Sequence, residues 1–203
     1  DNIGNRPEFK LEGTPLAVDG VIYATAGSRR GVVALDGATG EMLWMHSIRE
    51  GARGAASPRQ LSGRGLSYWA KGDDKRILYV TPGYRLVALD ARTGQPIKSF
   101  GKDGIVDLKQ EFDQDVDLTN GEAGLHAAPT IAGDTIIIGS AFREGFTPAK
   151  KANTKGYVRA YDVKTGKRLW IFHTIPQKGE FGYDTWLNGS AETTGNTAVW
   201  TQV

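Results

Sequence analysis

The chain has no cysteine, so neither a disulfide nor a thiolate metal site can form within it. It has no apolar stretch long enough to cross a bilayer as a helix, and no membrane span is expected. Its formal net charge is only +2, and no basic run stands out beyond Lys150-Lys151. That pattern carries none of the electrostatic footprint of a nucleic-acid binder, and no nucleic-acid partner is expected. What remains is a core-forming chain, 39% hydrophobic, which excludes wholesale disorder. It is rich in turns, with 27 glycines among 203 residues, and its apolar runs are short and β-branched. This is the character of an all-β protein.

One phrase recurs three times at long intervals: VVALDGATGEMLW at 32–44, LVALDARTGQPIK at 86–98 and VRAYDVKTGKRLW at 158–170. In each, a β-branched run leads to Asp (Asp36, Asp90 or Asp162), two free positions follow, and then Thr-Gly. The Asp opens a turn by bonding backbone N–H groups downstream of it. Gly40, Gly94 and Gly166 stand where such a turn needs a positive φ. A second strand follows, ending in Trp44 or Trp170, a ring large enough to pack on a neighbouring unit; the middle copy has Lys98 there. Each phrase therefore predicts a hairpin. Repetition at this spacing suits propeller blades better than a solenoid of short repeats.

Each phrase is preceded by a second strand pair. Leu16–Val18 and Val21–Ala24 flank Asp19-Gly20, and Thr130–Ala132 and Thr135–Gly139 flank Gly133-Asp134. Ser67–Ala70 and Ile77–Val80 flank a polar turn over Gly72–Lys75. Four-stranded blades are thus expected near 14–46, 66–100 and 128–173, with a fourth beginning about Thr197. Three blades and a stub cannot close a ring, so the chain is expected to be an incomplete piece whose partners include the remaining blades of the same propeller. Poor stability of the piece on its own is a further expectation.

Four segments lie between the repeats. Glu12-Gly13-Thr14-Pro15-Leu16 places an acid just before a strand, a position usually held by a solvated loop acid. Gly63-Arg64-Gly65-Leu66-Ser67-Tyr68-Trp69 holds an Arg between glycines, where a planar cation can approach a ligand carboxylate closely. Leu125-His126-Ala127-Ala128-Pro129 and Gly139-Ser140-Ala141-Phe142-Arg143-Glu144 form the third. A lone His is most often structural, and an acid past an apolar strand faces either a cavity or water. In the fourth, Gly195–Trp200, an indole without the Asp-x-x-Thr-Gly preamble is either core or a stacking platform for a flat ligand.

These four segments, in this order between the three repeats, resemble the pyrroloquinoline quinone (PQQ)-dependent dehydrogenases. The repeat resembles that family's tryptophan-docking motif, and LHAAPTIAGD and WIFHTIPQKGEFGYDTW look closest to its quinoprotein glucose dehydrogenase-like members. The resemblance implies an eight-bladed β-propeller, of which this chain is an N-terminal-side portion. It implies PQQ bound by Glu12, Arg64, His126, Ser140, Ala141 and Trp200. Glu144 would be a ligand to Ca²⁺ or a lanthanide. It further implies hydride transfer from a sugar or alcohol, electrons passed to a quinone or cytochrome c, and a periplasmic location. A flat tricarboxylate quinone needs an aromatic floor, cations and a hard metal ion, which these residue types supply.

Two departures qualify the resemblance. Many alcohol-oxidising members carry adjacent cysteines where this chain has Ser57-Pro58-Arg59, which tilts the reading toward sugar oxidation. The family's catalytic Asp and Asn metal ligand would lie beyond Val203, so no catalytic base is assigned; Asp184 reads as a loop acid beside Tyr183 and Trp186. Two rivals stay open: a scaffold propeller that keeps the docking repeat without cofactor, and a metal-stabilised sugar-binding propeller without redox chemistry.

Overall fold

The computed structural model describes residues 4, 7–8, 11–142 and 154–203. Within them the chain forms three four-stranded antiparallel sheets, each an up-and-down meander. The first holds β1 (Leu16–Val18), β2 (Val21–Ala26), β3 (Gly31–Asp36) and β4 (Met42–His46). The second holds β5 (Ser67–Lys71), β6 (Asp74–Val80), β7 (Arg85–Asp90) and β8 (Ile105–Asp107). The third holds β9 (Thr130–Ala132), β10 (Thr135–Ile138), β11 (Tyr157–Asp162) and β12 (Arg168–His173). A short helix, α1 (Gly51–Ala56), sits in the link between the first two sheets, and α2 (Ser190–Thr193) follows the third.

The turn chemistry explains the hairpins. Asp19 and Gly20 both take positive φ, 49° and 78°, as a two-residue hairpin turn requires. In each repeated phrase the Asp side chain accepts two backbone N–H groups and the Thr hydroxyl. For Asp36 Oδ1 these come from Ala38 (3.0 Å), Thr39 N (2.8 Å) and Thr39 Oγ1 (2.9 Å). Asp90 and Asp162 repeat the pattern. These bonds, from the Thr39 backbone first, favour the ionised carboxylate and hold Asp36 below the usual carboxylate range. The glycine that closes each turn has φ near 70° at Gly40, Gly94 and Gly166.

The second sheet corrects two expectations. Its inner turn is Gly72-Asp73 alone, since Lys71 already pairs with Asp74. Its outer strand is not the run after Gly94, and the blade does not end at 100. Only an isolated bridge joins Leu89 to Pro96, and the chain makes a further turn before Ile105–Asp107 pairs with β7. Pro96 has no N–H to give the ladder, so the strand cannot continue through it. At the C-terminal end, Asn196 makes one parallel bridge to Lys155, and no strand starts at Thr197 among the described residues.

The sheets stack face to face. Ile77, Tyr79, Val87 and Leu89 point from the middle sheet toward Tyr23, Val32 and Ala34 of the first. Their alternates Leu78, Val80, Leu86 and Ala88 point toward Ile136, Ile138 and Tyr161 of the third. Covered on both faces, β6 and β7 read as near-continuous apolar runs, where a one-sided strand would alternate. Trp44 caps the first junction: its Nε1 donates to Ala91 O at 3.0 Å, and its ring lies where a Cβ on Gly94 would sit. Trp170, the corresponding ring of the third sheet, is 44% exposed.

Candidate functional site

The links between sheets and the entries to β1, β5 and β9 meet at one end of the stack. Thr14 N–H donates to Arg64 O (3.1 Å), and Arg64 N–H donates to His126 O (2.9 Å). The lead-ins to all three sheets are thereby joined through the backbone of one residue. Gly65, at φ 139°, allows the close approach, since a Cβ there would stand 3.1 Å from Thr14 O.

Side chains converge in front of this backbone. Arg64 Nε pairs with Glu12 Oε2 at 3.4 Å, and both side chains are about one-third exposed. The Arg64 guanidinium also stands 5.3 Å from the centroid of the Trp200 ring, a cation–π contact. Glu12 and Arg64, together with Thr14, Pro15, Leu16, Ala127, Ala128, Thr201 and Gln202, border a cavity of about 330 Å³. That volume lies at the lower end of the ~300–1,000 Å³ of small-molecule pockets.

His126 lies behind this wall. Its Nε2 faces Gln60 O at 3.0 Å, and because a carbonyl only accepts, Nε2 carries the proton. Burial first, and then the charge of Arg30, lower its pKa to about 4, so the ring is neutral at physiological pH. Ser140 and Ala141 are buried. The Ser140 N–H donates to Val199 O (2.9 Å), next to Trp200, and Ala141 exchanges both backbone bonds with Gly124. Arg64 thus touches both Glu12 and Trp200 directly, while His126, Ser140 and Ala141 connect to this region through the backbone. Glu144 lies outside the described residues. Among the described residues no group of three His, Asp or Glu is arranged to hold a metal ion.

These residues suit a flat polyanion such as PQQ: an exposed indole face, a guanidinium that can meet a carboxylate, and a carboxylate to orient that guanidinium. Ser57, at the position of the expected cysteine pair, is buried at the end of α1 and its Oγ accepts the Arg59 N–H at 3.0 Å. Sequence reasoning missed Gly63 and Arg30 behind the wall. Gly63 was visible only as a flank of Arg64, and nothing local marks Arg30, whose partners are 29 to 95 residues away along the chain.

Comparison with known proteins agrees. Over residues 2–203 the chain matches the PQQ family described as glucose/ethanol/alcohol dehydrogenase, beta-propeller domain. It is 32% identical to the dehydrogenase subunit of the quinone alcohol dehydrogenase of Gluconacetobacter polyoxogenes, across 94% of this chain and 24% of that protein. It is 33% identical to methanol dehydrogenase [cytochrome c] subunit 1 of Methylobacterium organophilum, across 82% of this chain and 24% of that one. Among solved structures it superposes on quinohemoprotein alcohol dehydrogenase ADHIIG of Pseudomonas putida HK5 with a TM-score of 0.68 at 27% identity, covering 94% of this chain and 26% of that one. The chain therefore spans about a quarter of the length of these relatives. With its three sheets, its Asp-x-x-Thr-Gly turns and a family match over residues 2–203, the chain belongs to the PQQ glucose/ethanol/alcohol dehydrogenase β-propeller family.

Proposed function

We propose that the protein containing this chain is a PQQ-dependent dehydrogenase that oxidises a hydroxyl of an alcohol or an aldose, and that this portion supplies one wall of the quinone site. The observation that carries the reading is Arg64, which lines the cavity beside Glu12, pairs with that carboxylate and stands over the Trp200 ring. When bound, PQQ supplies a two-electron acceptor for hydride, polarised by Ca²⁺ or a lanthanide. Arg64 offers a fixed fork to a cofactor carboxylate, and Glu12 holds that fork in place. Trp200 presents the face on which a planar ring system lies. His126, kept neutral and hydrogen-bonded to Gln60, adds no positive charge and fixes the backbone that anchors Arg64. Ser140 and Ala141 brace the neighbouring edge, their N–H groups already taken by Val199 and Gly124. Glu144 is proposed as one metal ligand, the catalytic base being contributed from beyond this chain.

The relatives named above support an alcohol as substrate, and the absence of vicinal cysteines at Ser57-Pro58-Arg59 supports an aldose. Electron delivery to a quinone or cytochrome c in the periplasm completes the proposal. The test is reconstitution of the full-length protein with PQQ and Ca²⁺, followed by dye reduction with ethanol and with glucose. Cofactor absorbance with turnover on either substrate is the expected result. Cofactor uptake without turnover on any alcohol or aldose would reduce the protein to a binding propeller, and no uptake at all would leave a scaffold.

A further inference from the structure

Arg30, in the turn between β2 and β3, is 1% exposed. None of the hydrogen bonds found for its guanidinium goes to a carboxylate. Its Nε donates to Leu61 O (3.0 Å), Nη1 to Val80 O (2.8 Å) and Leu125 O (2.6 Å), and Nη2 to Arg59 O (2.9 Å). One side chain thus ties the end of β6 to two links, the one carrying Arg64 and the one carrying His126, which also bond to each other through Arg64 N–H and His126 Nε2. The charges of Glu50 and Glu8 act on it only through space, and holding a buried cation on neutral carbonyls is a costlier way to join three segments than a packed apolar side chain.

The surroundings carry strain as well. Arg30 and Leu61 both adopt left-handed backbone, φ 51° and 70°, which costs a non-glycine residue ~1–2 kcal/mol each. Gly63 is seated on the guanidinium: a Cβ there would stand 2.7 Å from Arg30 Nε. The very next residue is Arg64, whose N–H meets His126 O. Leu61 O and Leu125 O, the two carbonyls that the fork reads, therefore lie just upstream of the two residues whose backbones bond to each other. Strain of this kind persists only where the surroundings over-determine it, and it clusters at functional sites.

We propose that Arg30 is the positioning residue of the quinone site, its guanidinium setting the pose of the 59–64 link and of Leu125–His126 so that Arg64 faces the cavity. The inference rests on the quinone-site reading given above. Arg30 touches neither the cavity nor its contents; it acts through Arg64. The fork geometry is the operative feature, because a lysine ammonium retains the charge but cannot address four carbonyls spread in a plane.

The experiment uses the full-length protein and three variants, Arg30→Lys, Arg30→Gln and Gly63→Ala. Amide hydrogen exchange is measured without quinone, and PQQ affinity is measured by absorbance titration. The Arg64 amide is expected to exchange ~10-fold faster in each variant while the amides of β6 and β10 keep parental rates. The PQQ dissociation constant rises ~10–100-fold, the size of loss seen when a group that orients a ligating side chain is removed. At saturating PQQ, kcat stays within about twofold of parental, so excess cofactor rescues the variants. Parental exchange and affinity in Arg30→Gln, or a uniform loss of protection across all strands, would overturn the proposal. Full retention of affinity in Arg30→Lys would overturn the fork and leave charge alone. If both Arg30 variants fail to fold, Gly63→Ala decides, since it displaces the link with the guanidinium intact. A parental protein that takes up no PQQ sinks the quinone-site reading, while the exchange data still decide whether Arg30 sets the link.

Discussion

The junction between the first and second sheets is closed by an indole, and that between the second and third by a guanidinium. At the first, Trp44 Nε1 and the Tyr23 hydroxyl both donate to Ala91 O, and the Trp44 ring covers Gly94. At the second, Arg76 Nη1 donates to Val163 O and Lys164 O, each at 2.9 Å. Asp74 holds that fork at two points, and the Trp69 ring lies under it at 5.6 Å. Gly166 is covered there by Phe100 and Val106. The receiving surface is the same in both cases: the carbonyl just after the turn's Asp and the face of the turn's glycine. Only the group that reaches across differs. A repeat can thus lose its tryptophan, as the middle copy does at Lys98, provided another donor and other apolar atoms take the seat.

The largest expected effects come from removing the reaching groups in the full-length protein. Trp44→Ala exposes Gly94 and strips Ala91 O of a donor, with an expected loss of ~3 kcal/mol in a urea melt. Arg76→Met leaves two carbonyls and Asp74 without their donor, at ~2 kcal/mol. A loss below half of either figure at one junction alone would show that the two are not equivalent closures.

A sharper comparison uses two glycines with the same turn role. A methyl group added at Gly40, φ 74°, would have nothing within 4 Å, whereas at Gly94, φ 69°, it would fall 2.4 Å from Trp44 Cε3. Gly40→Ala should cost only the backbone term, ~1 kcal/mol. Gly94→Ala should cost ~1 kcal/mol more through overpacking. In a Trp44→Ala background that excess should vanish, which a double-mutant cycle reads directly. Equal costs for the two glycines in the wild-type background would deny that the indole is seated on the turn.

The smallest effect is the acid dependence of the turns themselves. Hydrogen bonds from Thr165 and Lys164, the Thr165 hydroxyl first, depress the Asp162 carboxyl below its ordinary value. A carboxyl with a depressed folded-state pKa stabilises the fold above the unfolded value of ~3.9 and loses that contribution as pH falls through the folded one. Asp162→Asn should therefore lower stability slightly at pH 7 and flatten the acid limb, so that variant and parent converge as pH falls below about 4. A parental slope below pH 4 in the variant would remove Asp162 from the account.

Much of this was legible in the order of residues because the signals are local. Asp-x-x-Thr-Gly carries its own hydrogen bonds, Asp19-Gly20 its own positive φ values, and the doubly apolar β6 and β7 their burial. The second outer strand was misplaced because one proline, Pro96, outweighed a phrase that reads the same elsewhere. The candidate site was legible only in part. Glu12, Arg64 and Trp200 could be picked out as odd residues between repeats, but the contacts of Arg64 with the other two span most of the chain. Arg30 left no local trace, since its acceptors are backbone carbonyls, which any residue provides.

The sequence by itself determined that this protein makes short antiparallel strands in repeated four-stranded units, because turn chemistry and alternation act within a few residues. Only the tertiary structure decided which donor closes each junction and which guanidinium faces a cavity and which one stays behind it. Those outcomes depend on carbonyls and ring faces brought together from distant parts of the chain, and a carbonyl has no signature in the sequence.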